Sequence, residues 1–364
     1  MLIASVIRKC LKAEQKPGSL GSLVRLPFYI TYAAQTGKLK MQDARPKIAD
    51  IVTLRKSLAA TIVRTPTVRC AGIEDALGNG TTVYGKLEFL QHTGTFKARG
   101  ALAIISKLDD AQLATGITAV SAGNHAIAAA YAAKVAGTHA KVVMIASANP
   151  SRVSACRDYG GEVIMAENAH VAFELAEKIQ HDEGRFLVHP YEGPDVATGT
   201  GTIGVEIDEQ VDHFDVVLVS IGGGGLIGGI SNALKQLRPD CELIGVEADG
   251  ADSMHRSFAA GRPESIDEVR TIADSLGAPF ALPFSFGLCR ANVDQLTLVT
   301  DRQLRKAMGF LYRHMQIAVE PACAASTAAL LGPLRDQLAG KKVVLVFCGS
   351  NIDWATWQDQ AILN

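Results

Sequence analysis

Short apolar runs alternate with helix-length segments through the middle and end of the chain, and this alternation constrains the fold most. Five runs are branched and nearly all apolar, as parallel strands buried on both faces are: TAVSA (118–122), AKVVMIA (140–146), DVVLVSI (215–221), CELIGVEA (241–248) and KKVVLVFCG (341–349). Alanine- and leucine-rich segments between them end at glycine, proline or charge: HAIAAAYAAKVAG (125–137), HVAFELAEKIQHD (170–182) and IGGISNALKQLRP (227–239). The pattern predicts an α/β fold with doubly wound, mostly parallel sheets.

Composition narrows the classes of partner. The 364-residue chain is 48% hydrophobic and 20% charged, which is typical of a globular protein with a large core. Its formal net charge is −1, so nothing favours nucleic-acid binding, and a small-molecule substrate is expected. Seven cysteines are scattered without a CxxC pair, which favours a reducing compartment. No apolar run reaches the roughly 18 residues of a membrane span. We therefore expect a cytoplasmic protein with no membrane segment.

The beginning of the chain differs from the rest. Seven of its first 40 residues are Lys or Arg, against one acid, Glu14. A basic, acid-poor segment is typical of organellar import signals, which gives an alternative localisation. The same segment is compatible with a loosely held extension, or with translated upstream sequence before Met41. We predict an N-terminal extension over residues 1–45.

Three loops follow predicted strands, and ligands in such sheets bind beyond the carboxyl ends of the strands. SAGNHA (121–126) precedes an alanine-rich helix, where it would bind an anion, cap the helix, or do both. GGGG (222–225) suits a backbone that approaches a phosphate closely. FCGSNID (347–353) places Cys348 at the end of the last strand, as a cavity residue or as a small buried apolar side chain.

The glycine tract has a competing interpretation. Gly223, Gly225 and Gly228 fit GxGxxG after a strand, and Glu247 ends the next strand. That is the pattern of a nicotinamide-dinucleotide site, and so of an oxidoreductase. Four consecutive glycines satisfy the pattern easily, and the interpretation leaves Lys97 unexplained.

Lys97 stands in an unusual setting for a lysine, between a phenylalanine and an alanine in HTGTFKARG (92–100). Desolvation lowers the pKa of a lysine among apolar groups and prepares its amine for Schiff-base chemistry. A Schiff base, a phosphate and an aromatic ring nitrogen together describe pyridoxal 5′-phosphate (PLP). The sequence therefore indicates a PLP site.

From about residue 48 onward the chain resembles the fold-type II PLP enzymes of the threonine dehydratase and serine racemase group, whose two-lobed fold is like that of tryptophan synthase β. KLEFLQHTGTFKARGA (86–101) resembles the lysine motif of the group, SAGNHA its asparagine loop, GGGG its phosphate loop and FCGSNID its last-strand motif. The segments VHPYEGPDVATGTGTIGVEI (188–207) and AVEPACAAS (318–326) extend the likeness.

The resemblance implies a role for each of these motifs. Lys97 would carry the cofactor as a Schiff base, with Phe96 against its ring. Asn124 would reach the ring hydroxyl, and Cys348 the ring nitrogen. The resemblance also implies a phosphate loop and a substrate-carboxylate loop, made respectively by Gly222, Gly223, Gly224 and Gly225 and by Ser121, Gly123, Asn124 and His125.

The resemblance implies a large PLP-binding domain, 46–88 plus 188–364, and a small mobile domain, 89–187. It implies an ammonia-lyase that converts a 3-hydroxy amino acid, first L-threonine or L-serine, into a 2-oxo acid and ammonia. Phenylserine or hydroxyaspartate dehydration are alternatives, as is a catalytically silent PLP carrier. A homodimer is expected.

Three departures from the family pattern bear on specificity. Ala122 stands where serine racemases have a second serine, which speaks against racemisation. The cation site of the family would fall on Glu247, Ala251 and Ser253, so a mono- or divalent cation is a further expectation. Ser275 replaces a glycine, and three phenylalanines follow it, namely Phe280, Phe284 and Phe286. These phenylalanines would either line the cleft and admit a larger β-substituent, or pack their loop onto the large domain.

Overall fold

The computed structural model describes residues 45–363. The predicted N-terminal extension therefore lies, apart from Arg45, outside the described residues. Ten strands are present in the described part of the chain: β1 (Thr67–Arg69), β2 (Thr82–Leu87), β3 (Ile117–Val120), β4 (Ala140–Ile145), β5 (Glu162–Ala166), β6 (Phe186–Leu187), β7 (Val216–Ser220), β8 (Glu242–Ala248), β9 (Gln295–Val299) and β10 (Lys342–Phe347).

The strands form two sheets. The larger has six strands in the order β1-β2-β10-β7-β8-β9, and the smaller has four in the order β5-β4-β3-β6. Every neighbouring pair is parallel except β1 and β2. Strand β10 lies between β2 and β7, with Leu345 opposite Gly85 on one side and Leu218 on the other. The predicted α/β fold with mostly parallel sheets is confirmed.

Helices connect the parallel strands, as crossover topology requires. The α-helices of the described chain are α1 (Ile48–Ser57), α2 (Ala71–Leu77), α3 (Lys97–Ile105), α4 (Asp110–Thr115), α5 (Asn124–Val135), α6 (Pro150–Asp158), α7 (Ala169–Glu183), α8 (Pro194–Gln210), α9 (Gly225–Leu237), α10 (Ser253–Ala260), α11 (Pro283–Asn292), α12 (Asp301–Met315), α13 (Pro321–Leu331) and α14 (Trp354–Gln360). None of these helices is both long enough and apolar enough to cross a bilayer.

Each sheet has its own apolar core. All five residues of β7 are buried, and α13 packs on β7, β8, β9 and β10. In the smaller sheet, α5 packs on β3 and β4, and ten of its residues are buried. Half of this helix is alanine, which lets it lie close to the strands. Burial on both faces explains why these strands are almost wholly apolar in sequence.

The carboxyl ends of three strands carry the loops singled out in the sequence. Strand β3 leads into 121–123 and then α5, β7 into the glycine tract and α9, and β10 into Cys348. Strands β7 and β10 are direct neighbours, so the last two loops lie side by side.

Candidate active site

A cavity of about 300 Å³ lies at these loops. It brings together the side chains and glycines that the sequence predicts for the cofactor and the substrate carboxylate, which are Phe96, Lys97, Ser121, Gly123, Asn124, His125, Gly222, Gly223, Gly224, Gly225 and Cys348. Ala122 lines the same cavity. The residues come from loops of both sheets, so neither sheet alone makes the site.

Lys97 is the first residue of α3 and faces this cavity. Its Nζ donates a hydrogen bond of 2.7 Å to the carbonyl oxygen of Pro190 and lies 5.1 Å from the centre of the Phe96 ring. Desolvation lowers the pKa of Lys97 to about 8, although the negative charge of Glu320 opposes the shift. A large share of the amine is therefore neutral near pH 8 and able to attack a carbonyl carbon.

A buried network of ion pairs anchors the helix that carries Lys97. Arg99, two residues further on, donates to Glu88 Oε2 at 2.8 Å and to Glu206 Oε1 at 2.8 Å. Lys86 Nζ donates to the other oxygen of Glu206 at 2.6 Å. These four side chains are fully buried and their two positive and two negative charges balance. Arg99 thus ties the first turn of α3 to α8 and to the end of β2.

The glycine tract is shaped by close contact with Tyr191. A Cβ atom on Gly223 would lie 2.3 Å from the Tyr191 ring, and one on Gly225 would lie 2.5 Å from the Tyr191 carbonyl oxygen. Gly224 has a φ of +89°, which favours glycine. Because Gly225 begins α9, unpaired N–H groups of the first turn belong to this loop. Such a loop suits a phosphate.

Asn124 is held by three partners that sequence reasoning did not assign. Its Nδ2 donates to Glu320 at 2.8 and 3.0 Å and to Ser275 Oγ at 3.2 Å, and its Oδ1 accepts from Asn351 Nδ2 at 2.9 Å. Burial raises the pKa of Glu320 to about 7, with Arg152 opposing the shift. Glu320 and Asn351 both lie in segments that extend the family likeness, AVEPACAAS and FCGSNID. The signal in the sequence that pointed to a functional residue was Glu320 itself, a charged side chain in the otherwise uncharged segment AVEPACAAS.

His125 lies beside Lys97 but is uncharged. Its Nε2 is 2.8 Å from the carbonyl oxygen of Val188, to which it donates, since a carbonyl can only accept. Burial lowers the pKa of His125 to about 3, and the charge of Lys97 adds to this effect. Ser121 Oγ accepts from the N–H of Gly123 at 3.1 Å, which holds the loop before α5. A substrate carboxylate here would therefore meet an uncharged histidine rather than a second cation.

Cys348 is a buried thiol directly after β10. A hydrogen bond with the Cys323 thiol and burial together raise the pKa of Cys348 well above its usual range. The thiol is therefore neutral at physiological pH. The carbonyl oxygen of Cys348 accepts from the N–H of Phe96 at 3.1 Å, which joins this loop to the lysine segment.

The residues predicted to hold a cation do not line the cavity. Both carboxylate oxygens of Glu247 accept backbone N–H groups at the start of α10, from Met254 at 2.9 Å and His255 at 2.7 Å. Ser253 Oγ donates to the carbonyl oxygen of Ala278 at 3.0 Å. In the described part of the chain no three His, Cys, Asp or Glu side chains form a metal-binding group. Cation binding at Glu247, Ala251 and Ser253 stays a prediction. Because both oxygens of the Glu247 carboxylate already accept backbone N–H groups, they are poorly placed to accept hydrogen bonds from a nucleotide ribose as well.

The three phenylalanines after Ser275 are not among the residues that line the cavity. Phe286 packs edge to face on Phe258, with ring centres 6.1 Å apart, and the N–H of Phe284 donates to Glu192. The structure therefore agrees with the expectation that these phenylalanines pack their loop, and not with a cleft lined by them. Ser275 itself does line the cavity.

Comparison with known proteins agrees with this geometry. Residues 58–349 match the family described as "Pyridoxal-phosphate dependent enzyme". The chain is 50% identical to phenylserine dehydratase of Ralstonia pickettii, over 86% of this chain and 95% of that protein. It is 36% identical to the L-threonine ammonia-lyase of Thermotoga maritima, over 84% and 76% of the two chains. The structure of maize serine racemase superposes with a TM-score of 0.81 at 33% identity, over 86% and 96% of the two chains.

These findings confirm the predicted fold type, the predicted cofactor and the predicted class of lyase. The glycine tract is therefore not the nicotinamide-dinucleotide site of an oxidoreductase. The match to the PLP-enzyme family covers this tract together with Lys97. The chain belongs to the family of pyridoxal-phosphate-dependent enzymes.

Proposed function

We propose that this PLP-dependent lyase converts a 3-hydroxy amino acid with a neutral β-substituent into a 2-oxo acid and ammonia, and that 3-phenylserine is a better substrate than L-threonine or L-serine. The water lost when the β-hydroxyl leaves is taken up again when the resulting imine is hydrolysed. The main support for this reaction is the desolvated amine of Lys97, which lies in the same cavity as the proposed phosphate-binding loop. The support for an aromatic substrate is the 50% identity to phenylserine dehydratase over most of both chains.

The residues present fit PLP. The glycine loop lines the cavity with backbone, and the N–H groups at the start of α9 would donate to a phosphate there. Lys97 offers an amine in the same cavity. Asn124, Phe96 and Cys348 would complete the set of contacts. When bound, PLP supplies a carbonyl group for amines and a ring that withdraws electrons from the substrate Cα.

Lys97 is the proposed base. Because its pKa is lowered to about 8, it is able to accept a proton from Cα at neutral to slightly basic pH. Ala122 lines the cavity, and its side chain has no proton to donate to the opposite face of the substrate Cα. Elimination is therefore favoured over racemisation. The neutral Cys348 thiol does not hold a proton on a ring nitrogen as a carboxylate would, which favours elimination over transamination.

Part of the remaining cavity wall is suited to an apolar β-substituent. Tyr191, Leu276 and Ala278 line this part. Tyr191 donates its hydroxyl hydrogen to the Phe280 carbonyl oxygen at 3.3 Å, which holds the ring in place. A phenyl group packed against these side chains would gain more apolar contact than the methyl group of threonine or the hydrogen of serine at the same position.

The test is release of 2-oxo acid and ammonia from purified, PLP-loaded protein with 3-phenylserine, L-threonine and L-serine at equal concentrations. We expect phenylpyruvate to form fastest, and Lys97→Ala to form none. No D-serine should accumulate with L-serine. A higher kcat/KM for L-threonine than for 3-phenylserine would contradict the substrate assignment. No 2-oxo acid from any of the three would contradict the proposed reaction.

Three finer features complete the proposal. The four-stranded sheet lies within residues 89–187, which supports a small domain that moves against the larger one. A homodimer is proposed from the family resemblance, and its test is the molar mass in solution. A cytoplasmic location is supported by the six cysteines of the described chain, all of which are free.

A further inference from the structure

Part of the cavity wall is not accounted for by the cofactor or by the loop proposed for the substrate carboxylate. The cofactor would meet Phe96, Lys97, the glycine loop and Cys348, and the carboxylate would meet residues 121–125. The rest of the wall includes Arg152, Glu320 and residues 274–278. A β-substituent that points away from the two loops would lie among these residues.

Arg152 is the charged residue of this wall with the most contacts. Its guanidinium donates to both carboxylate oxygens of Asp274, and Nε donates to the carbonyl oxygen of Asn351 at 2.9 Å. Its Nη2 also lies 3.5 Å from Glu320 Oε2. The Arg152 side chain is 8% exposed, whereas that of Asp274 is 61% exposed at the edge of the cavity. One guanidinium thus serves two carboxylates.

Arg152 is shared by Asp274 and Glu320, and among the described residues that line the cavity no further cation is free to pair with either acid. Lys97 is the remaining cationic side chain there, and the cofactor would engage its amine. His125 is neutral, and burial raises the pKa of Tyr191, so its hydroxyl is neutral too. The wall therefore carries no surplus of positive charge for an anionic substituent.

We propose that Asp274 makes this site selective for neutral β-substituents by keeping Arg152 engaged, so that a substrate with a second carboxylate, such as 3-hydroxyaspartate, is excluded. The proposal rests on the proposed dehydratase function and specifies its substrate class. A β-carboxylate would lie near Asp274 and Glu320 with their shared guanidinium already bound. Like charges placed together in a partly desolvated site repel strongly. Asp274 is thus a specificity-determining residue.

The test is the ratio of kcat/KM for threo-3-hydroxyaspartate to kcat/KM for 3-phenylserine. Asp274→Asn keeps the shape of the side chain and one acceptor for Arg152 but removes the negative charge. We expect this ratio to rise at least about tenfold. The control is Asp240→Asn, which removes the same charge from an exposed acid just before the amino end of β8, away from the cavity. The control ratio should stay at the unmutated value.

A second measurement needs no variant. Because the Asp274 side chain is largely exposed, added salt screens its repulsion. In the unmutated protein the same ratio should therefore rise as sodium chloride is raised from 0.02 to about 0.5 M. Turnover of 3-phenylserine with a ratio that neither salt nor Asp274→Asn changes would overturn the inference, as would equal turnover of both substrates by the unmutated protein. No turnover of any 3-hydroxy amino acid would instead contradict the proposed function.

Discussion

At the scale of single residues, the chemistry depends on how the surroundings set the charge of a few groups. Desolvation lowers the pKa of Lys97 and the pKa of His125, so the histidine is neutral and the lysine is partly so. The pKa of Cys348 is raised, and its side chain stays a thiol beside Cys323. The family motifs were sufficient to predict these three residues. They were not sufficient for Glu320 or Arg152, because their roles depend on side chains brought together from distant segments.

The lowered pKa of Lys97 leads to a prediction about cofactor uptake. The neutral amine is the form that attacks a carbonyl, so the rate at which the cofactor-free chain binds PLP should rise with pH to a midpoint near 8. An ordinary lysine would give a midpoint near 10.4. Stopped-flow absorbance over pH 6 to 11 measures this rate. Lys97→Ala retains the other lysines and should lack the fast phase. A midpoint above pH 10 would contradict the desolvation argument.

At the scale of elements, the sequence predicted strands that are buried on both faces and missed the others. Strands β3, β4, β7, β8 and β10 are nearly continuous apolar runs. Strand β2 was missed because Gly85 and Lys86 interrupt it. That lysine is buried because its amine pairs with Glu206 and donates to the carbonyl oxygen of Thr65. Strands β5 and β9 are sheet edges with mixed burial, and β1 and β6 have three and two residues. Such strands leave no clear period in the sequence.

The helix that carries Lys97 should depend on its buried ion pairs. Arg99→Met leaves Glu88 and Glu206 with one cation, Lys86, between them, so the free energy of unfolding should fall by about 3 to 5 kcal/mol. Urea unfolding followed by circular dichroism measures the loss. The matched control is Arg69→Met, which breaks an exposed ion pair with Glu74 and should barely move the midpoint. Equal shifts for the two variants would show that the network does not anchor α3.

The turn into α9 should be disturbed by a side chain at Gly224. Alanine there would adopt a left-handed φ and place its Cβ 2.7 Å from the Met254 side chain. Gly261→Ala is the control, because Gly261 has a φ of +68° with open space around it. Both variants should lose roughly 1 to 2 kcal/mol of stability from backbone strain. Only Gly224→Ala should also weaken PLP binding, by about tenfold or more, because the loop must shift. Fluorescence titration with PLP compares them, and equal affinities would contradict the phosphate-loop assignment.

At the scale of the whole molecule, the cavity exists because two parallel sheets present their loops to each other. The loop after β3 belongs to the four-stranded sheet, and the loops after β7 and β10 belong to the six-stranded sheet. Arg152 of α6 crosses between them to Asp274 and to the Asn351 carbonyl. The alternation of strands and helices predicted both the fold and the location of the site at the carboxyl ends. How the two sheets meet depends on side-chain contacts that no local pattern reveals.

The proposed mechanism requires PLP to be bound through Lys97, and borohydride reduction shows which lysine holds it. Borohydride converts the C=N bond between lysine and PLP into a stable C–N bond, so the reduced protein can be digested and its modified peptide identified by mass spectrometry. We predict one pyridoxyl phosphate group per chain, on Lys97, and a loss of the yellow colour on reduction. A modification on another lysine, or none in protein that still forms 2-oxo acid, would contradict the account.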